Sequence, residues 1–347
     1  MSEARERRVS NIRRLLAAAE RVYESRHLLS AAIAQSTGLS TEGVELGFSY
    51  LERSASDAEL AALVDGVSEA AHVHVILSAN VFVAPLRALA LAIATAPKVT
   101  VRPSPRDPWL TRALVTELGE RSVEIVEERS VASLDADTFH VYGRDSTIAA
   151  VRAEARPGTK IRGHGAAFGI VLLARSAEAD AAAASIAIDV AAFDQRGCLS
   201  PRLVLVEGTF AQATRVAESI HRELGAVARR VPRGHLDPEE RAEARRWADT
   251  ISFAGRAWTG PEHVVGLGPE GELPALPPVG RHVQIARVSS LGHARTLLEP
   301  TARFIVAVGS DDLGRARSVV PAHARLAPLG SMQRPPLDGP VDQRPAD

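Results

Sequence analysis

Cys198 is the only cysteine in a chain of 347 residues, and it lies in FDQRGCLSP, Phe193 to Pro201, where chemistry-bearing residues are most concentrated. The segment follows an Ala-rich helical stretch and precedes an apolar strand, with Gly197 and Pro201 fixing a turn between them. A thiol in a turn is better exposed than one inside a helix or strand. A guanidinium beside it, here Arg196, favours the thiolate that attacks carbonyl carbon. The plain alternative is a small buried hydrophobe, which is how most cysteines outside disulfides behave. On this segment alone both readings stand.

A scaffold must position such residues, and its periodicities run the length of the chain. Residues 3 to 70 read as helices: Leu15, Leu16, Ala19 and Val22 fall at helical spacing, and Ser56-Asp57-Ala58-Glu59 has the form of a capping box. Short β-branched runs then alternate with helical stretches. His72 to Ser78, Lys98 to Arg102, Ser122 to Val126 and Phe139 to Tyr142 read as strands. Pro85 to Ala94, a stretch from Pro108 to Leu118, and Ser146 to Ala155 read as helices, with Pro108 in a first turn that tolerates proline. Gly163, Gly165 and Gly169 frame a turn, RGHGAAFG, leading into the strand Ile170 to Leu173. Beyond it come a helix from Ala177 to Ala192, a strand from Leu203 to Glu207, and helices over Gln212 to Leu224 and Pro238 to Phe253. A Gly- and Pro-rich loop from Gly266 to Gly280, strands at Val283 to Val288 and Phe304 to Val308, and a tail from Pro328 extended over the surface complete the pattern.

Alternating strands and helices imply mostly parallel sheets with helices on their faces. Ligands in such sheets bind beyond the carboxyl ends of the strands, which directs attention to Ala79-Asn80, Pro103-Ser104 and Gly143-Arg144-Asp145. Asn80 reads equally as an ordinary strand-end turn residue. The chain is 46% hydrophobic and only 4% aromatic, enough for a substantial core and long enough for two domains, with one large domain as the alternative. A net charge of −1 with evenly spread Lys and Arg gives no reason to expect nucleic acid or a membrane surface as partner. The N-terminal basic residues alternate with acids, unlike a signal peptide, and the longest apolar runs fall short of the ~20 residues a spanning helix needs. A single cysteine excludes an internal disulfide framework and points to a reducing, cytoplasmic setting. His72 and His74 face one side of a strand, but two ligands without an acid or cysteine cluster make no metal site, so none is expected.

Several segments, in order, resemble one family. FDQRGCLSP resembles the active-site segment of the bacterial fatty acyl-CoA reductases that supply aldehyde in luminescence systems. It is more loosely similar to the Asn-Gln-Gly-x-x-Cys segment of aldehyde dehydrogenases. HVILSANVF, His74 to Phe82, is similar to the family's strand ending in Trp-Asn-Phe-Pro, whose asparagine donates to the oxyanion; the resemblance gives Asn80 that role. KVTVRPS, Lys98 to Ser104, resembles Val-Ile-Lys-Pro-Ser, placing Arg102 where a lysine contacts the adenosine ribose of the dinucleotide. Pro105 stands where many NAD-using members carry a glutamate, and Arg102 and Arg106 adjoin it, which favours NADPH with NADH as the alternative; both arginines read equally as solvated loop residues. VYGRD, Val141 to Asp145, resembles the Phe-Thr-Gly-Ser turn that lines the cofactor, with Gly143 feeding a helix N-terminus and Asp145 a carboxylate that opposes phosphate unless it only caps the helix. The resemblance covers residues 70 to 345 and is strongest near Cys198 and in the tail.

It implies an α/β, aldehyde-dehydrogenase-like fold: two doubly wound, mostly parallel-sheet domains behind an N-terminal helical segment. The expected division is helices over 1–70, a dinucleotide-binding domain over 71–165, a catalytic domain with Cys198 over 166–330, and the tail over 331–347. Two departures bear on the chemistry. The stretch Ile161 to Ala166 lacks the glutamate that activates water in oxidising members, with His164 either a substitute base or a turn residue. The counterpart of Glu-x-Phe-Gly-Pro, Pro277 to His282, also lacks its acid. An acyl-enzyme that must await hydride has no use for hydrolysis, so the expectation is reduction of an acyl-CoA or acyl-carrier substrate to aldehyde. An acyl-phosphate reductase and a catalytically inactive binding or scaffold protein are the alternatives. A homodimer or an acyl-transferring enzyme is the candidate partner.

Overall fold

The computed structural model describes residues 3–119, 122–128, 130–269, 272 and 276–345. Parts of the expected helical segment, the 266–280 loop and the tail (residues 1, 2, 270, 271, 273–275, 346 and 347) lie outside the described residues. The chain forms two compact units, one of residues 1–37, 47–166 and 336–347, the other of 38–46 and 167–335.

The first unit begins with helices α1 (Glu3–Glu24), α2 (His27–Thr37) and, after α3 (Thr41–Phe48), most of which belongs to the second unit, α4 (Asp57–Asp65). The Ser56 hydroxyl accepts the Glu59 N–H while the Glu59 carboxylate accepts the Ser56 N–H, so the capping box starts α4 as its sequence predicts. Strands β1 (His72–Ile76), β2 (Lys98–Arg102), β3 (Glu124–Ile125), β4 (Thr138–Tyr142) and β5 (Lys160–His164) form an all-parallel sheet ordered β3-β2-β1-β4-β5. Helices α5 (Ala84–Thr95), α6 (Trp109–Leu118) and α7 (Asp145–Glu154) make the crossovers. The strand order reverses between β1 and β4, the point at which a crevice opens. The stripe Ile12, Leu15, Leu16 and Ala19 packs α1 against α5 and α6. On the other side Ile148 and Val151 of α7 pack with Ile76, Phe139 and Val141. The Gly163 turn expected from RGHGAAFG is instead the end of β5. A Cβ at Gly163 would lie 2.8 Å from the Ile148 side chain, so this glycine serves close approach of strand and helix.

The second unit is a seven-stranded sheet ordered β12-β11-β6-β7-β10-β9-β8. Its strands are β6 (Phe168–Leu173), β7 (Pro201–Glu207), β8 (Arg256–Thr259), β9 (Val264–Leu267), β10 (Val283–Val288), β11 (Ile305–Ser310) and β12 (Arg325–Pro328). All pair in parallel except β8 with β9. Helices α8 (Ala179–Ala191) and α9 (Phe210–Arg230) bury Ile186, Val190, Val216 and Ile220 against one face. Helix α10 (Pro238–Ala254) lies beside β8 and β9. Helices α11 (Leu291–Leu298) and α12 (Leu313–Arg317) cover the other face through Ala294, Leu298 and Ala316. Nothing in the sequence reading anticipated β8, β9, α11, α12 or β12, which are short or fall among Gly and Pro. The tail adds no helix or strand after β12 among its described residues, yet it is not a surface strap: Met332, Leu337 and Asp342 are buried. Among the described residues no helix is long and apolar enough to cross a membrane.

Candidate active-site residues

Cys198 lies on the short turn between α8 and β7, half-buried, with the Ser200 N–H donating to the Gly197 carbonyl at 3.1 Å. The chain before it is strained. Phe193, Asp194 and Gln195 adopt φ of 53°, 49° and 66°, a run of left-handed non-glycine residues. Each costs roughly 1–2 kcal/mol relative to ordinary helical backbone, and such strain persists only where the surroundings over-determine it.

They do so through buried side chains. One oxygen of the Asp194 carboxylate accepts from Arg281, with Nε at 2.9 Å and Nη2 at 2.8 Å, and the other accepts the Gly234 N–H at 2.8 Å. Gln195 donates to the carbonyls of Pro201 and His282, both at 2.7 Å, and accepts the His282 N–H at 2.9 Å. Asp194, Gln195 and Arg281 are each 1% exposed. On the β6 side, the Gly169 N–H donates to the Ser200 carbonyl at 3.0 Å. A Cβ at Gly169 would stand 2.4 Å from the Leu199 carbonyl oxygen, so only glycine lets the turn lie this close to the sheet. Arg196 directs Nη2 to the His235 carbonyl and the Glu240 carboxylate, each at 3.1 Å. Burial, then the nearby Arg233, pushes His282 down to about 3, so this histidine is neutral.

Asn80, Arg102, Ser104 and Gly143 share one cleft of the first unit, about 800 Å³, at the carboxyl ends of β1, β2 and β4. Cys198 is carried by the second unit. Asn80 is exposed in the bend after β1, whereas Ser104 is 6% exposed. Gly143 turns the chain into α7, its N–H donating to the His164 carbonyl at 3.3 Å. Asp145 does not act as the cap of α7: its carboxylate accepts the Ala166 N–H at 3.0 Å, and Arg144 occupies the cap position. Glu127, which the sequence reading passed over, also lines the cleft and forms an ion pair with Arg112.

His164 ends β5 with its ring stacked on Tyr142 at 4.3 Å and 9°. Burial lowers its pKa, opposed by Asp342, whose carboxylate lies 3.8 Å from Nδ1. Burial of Asp342 alone would raise its carboxyl. The neighbouring His164 and Arg344, the latter at 2.6 Å, overcome that and hold it well below the usual carboxylate range. Carboxylates from elsewhere in the chain therefore do reach the stretch that lacks its own, but Asp145 is bound to a backbone amide and Asp342 to a guanidinium.

Solved structures of aldehyde dehydrogenases share this fold. The NAD-dependent aldehyde dehydrogenase from Sinorhizobium meliloti has a TM-score of 0.69 at 14% identity, covering 94% of this chain and 74% of that one. The lactaldehyde dehydrogenase from Escherichia coli has a TM-score of 0.64 at 15% identity, covering 92% and 76%. The indole-3-acetaldehyde dehydrogenase AldA of P. syringae, a C302A mutant in complex with NAD+ and IAA, has a TM-score of 0.69 at 13% identity, covering 95% and 77%. No curated protein matches the sequence. The sequence pattern of the acyl-CoA reductase (LuxC) family matches residues 64–335. The chain therefore belongs to the acyl-CoA reductase (LuxC) family, a family of oxidoreductases, on an aldehyde-dehydrogenase-like fold.

Proposed function

We propose that this protein reduces an acyl-CoA, or another activated acyl group, to the aldehyde through a thioester on Cys198, with NADPH as the preferred cofactor. The supporting observation is the Cys198 turn, where the chain's single thiol follows a strained segment locked by buried bonds. The thiolate attacks the acyl carbonyl carbon, a C–S bond forms, and the oxyanion collapses with loss of the CoA thiolate. Asn80 is the proposed amide donor to that oxyanion, together with a backbone N–H of the Cys198 turn.

The first-unit cleft suits a dinucleotide. It lies at the strand-order reversal, it is lined by Arg102 and Ser104, and the N-terminus of α7 behind Gly143 offers an anion site from which the Asp145 carboxylate is engaged elsewhere. Arg102 and Ser104 would hold the adenosine half, and Gly143 with the first turn of α7 the pyrophosphate. A nicotinamide cofactor, when bound, supplies the hydride that takes the thioester to the aldehyde. Pro105 in place of an acid, with Arg102 and Arg106 adjacent and Glu127 paired with Arg112, favours a 2′-phosphate. Asp145 and Asp342 are engaged by the Ala166 N–H and the Arg344 guanidinium, which leaves those carboxylates poorly suited to act as a base on water.

The test is aldehyde formation by the purified protein with NADPH or NADH across straight-chain acyl-CoAs and acyl phosphates. Aldehyde should appear with acyl-CoA, faster with NADPH, and Cys198→Ser should lower the rate by on the order of 10³-fold or more. No Cys198-dependent aldehyde with any donor would leave a non-catalytic binding protein as the reading to adopt.

A further inference from the structure

We infer that Asp194 and Arg281 form a positioning clamp for Cys198, a buried ion pair that holds residues 193–195 in left-handed backbone and so fixes the nucleophile's turn. This rests on Cys198 being the nucleophile.

Both members of the pair also bond main chain, and the Glu262 carboxylate stands 3.8 Å from Arg281 Nη1. Arg281 Nη1 donates to the Val231 carbonyl at 2.6 Å, while Asp194 takes the Gly234 N–H. The Gly280 N–H donates to the Asp194 carbonyl at 3.1 Å, so the two strained segments are tied by backbone as well as by charge. Arg281 is itself left-handed, at φ 69°. Next to the pair, Gln195 bonds Pro201, and this link spans the turn that carries Cys198 and pins both its ends. Stability alone is a poor reason for such an arrangement. Well-packed apolar side chains often replace a buried ion pair with no loss, and unstrained backbone would spare the cost of the left-handed run. What the pair secures that apolar packing does not is direction: the paired guanidinium and carboxylate set one orientation of the Asp194 backbone. From Asp194 the chain reaches the thiol in four residues. Asp194 and Arg281 are positioning residues, acting on substrate only through Cys198.

The experiment compares wild type with Asp194→Asn, Arg281→Lys and Arg281→Met, using the acyl-CoA that wild type turns over best. Three quantities are read: the single-turnover rate of Cys198 acylation, KM, and the rate of Cys198 alkylation by iodoacetamide, a small reagent indifferent to a carbonyl's approach. A displaced nucleophile should slow acylation by on the order of 10–100-fold. KM and alkylation should stay within about threefold, and Arg281→Lys should recover part of what Arg281→Met loses. Acylation within about twofold of wild type in folded Asp194→Asn or Arg281→Lys overturns the clamp, whatever happens to melting temperature. Equal losses in acylation and alkylation also overturn it, because the thiol would then be buried or unfolded rather than misdirected. If Arg281→Met does not fold, the two conservative variants decide alone. Wild type that forms no acyl-enzyme defeats the reading of Cys198 itself, and the clamp falls with it.

Discussion

At the scale of single residues, the proposed thioester chemistry depends on how closely the Cys198 turn approaches the sheet. Gly169 sets that approach, since any Cβ there would meet the Leu199 carbonyl oxygen and the Met332 methyl group at 2.4 and 2.9 Å. Gly169→Ala should therefore push the turn outward. It should lower stability by about 1–3 kcal/mol and slow acylation, measured by denaturant unfolding and single-turnover kinetics on the same preparation. The family is legible around Cys198 because its neighbours carry a family segment. The supports of the Cys198 turn are not. Asp194 and Gln195 stand in plain view four and three residues earlier, but their partners Arg281 and His282 lie 87 residues away in sequence from each. The stretch where the resemblance looks for a cofactor-holding glutamate supplies the clamp's cation instead.

At the scale of elements, the strands read most easily were those buried on both faces. The runs at β1, β7 and β10 are rich in β-branched and aliphatic residues and buried almost throughout, as parallel strands between helix layers are. β5 escapes the sequence pattern because Gly163 permits close packing on α7, and glycine for close approach looks like glycine for a turn. β8 and β9 are four residues each, too short for alternation to register. Helix α8 conceals another feature. Asp189 is 0% exposed and accepts the N–H groups of Gly330 and Met332 at 2.8 and 3.1 Å. Burial raises its carboxyl to about 7, against those amides and Gln333. A folded-state pKa above the unfolded one means this group's stabilisation is complete below about pH 4 and is lost as pH rises through about 7. Melting temperature should thus fall between pH 5 and 8 by more in wild type than in Asp189→Asn, whose side chain does not ionise. Circular dichroism melts across that range measure the difference.

At the scale of the molecule, the chain's end returns to the unit in which it began. Leu337 is 1% exposed with its N–H on Glu59 at 3.1 Å, Pro336 accepts from Arg87 at 2.6 Å, and Arg344 donates to the Ala166 carbonyl at 3.0 Å. The composition of this tail announces only that it forms no helix or strand; its burial depends on residues hundreds of positions earlier. Burying one leucine contributes about 1.5–3 kcal/mol, so removing residues 336–347 should lower the melting temperature by roughly 3–12 °C. The Asp342–Arg344 ion pair makes this region sensitive to acid. Because the Asp342 carboxyl is held low, its contribution is present above about pH 4 and is lost as pH falls further. The strand-end cleft and the Cys198 turn are thus built by separate sheets.

The most direct measurement is mass spectrometry of the protein quenched in acid after mixing with acyl-CoA in the absence of nicotinamide. One acyl group should be found on the peptide containing Cys198, absent from Cys198→Ser, and adding NADPH before the quench should discharge it as aldehyde. An unmodified Cys198 across the acyl-CoA series, or an acyl group carried equally by Cys198→Ser, would contradict the thioester route.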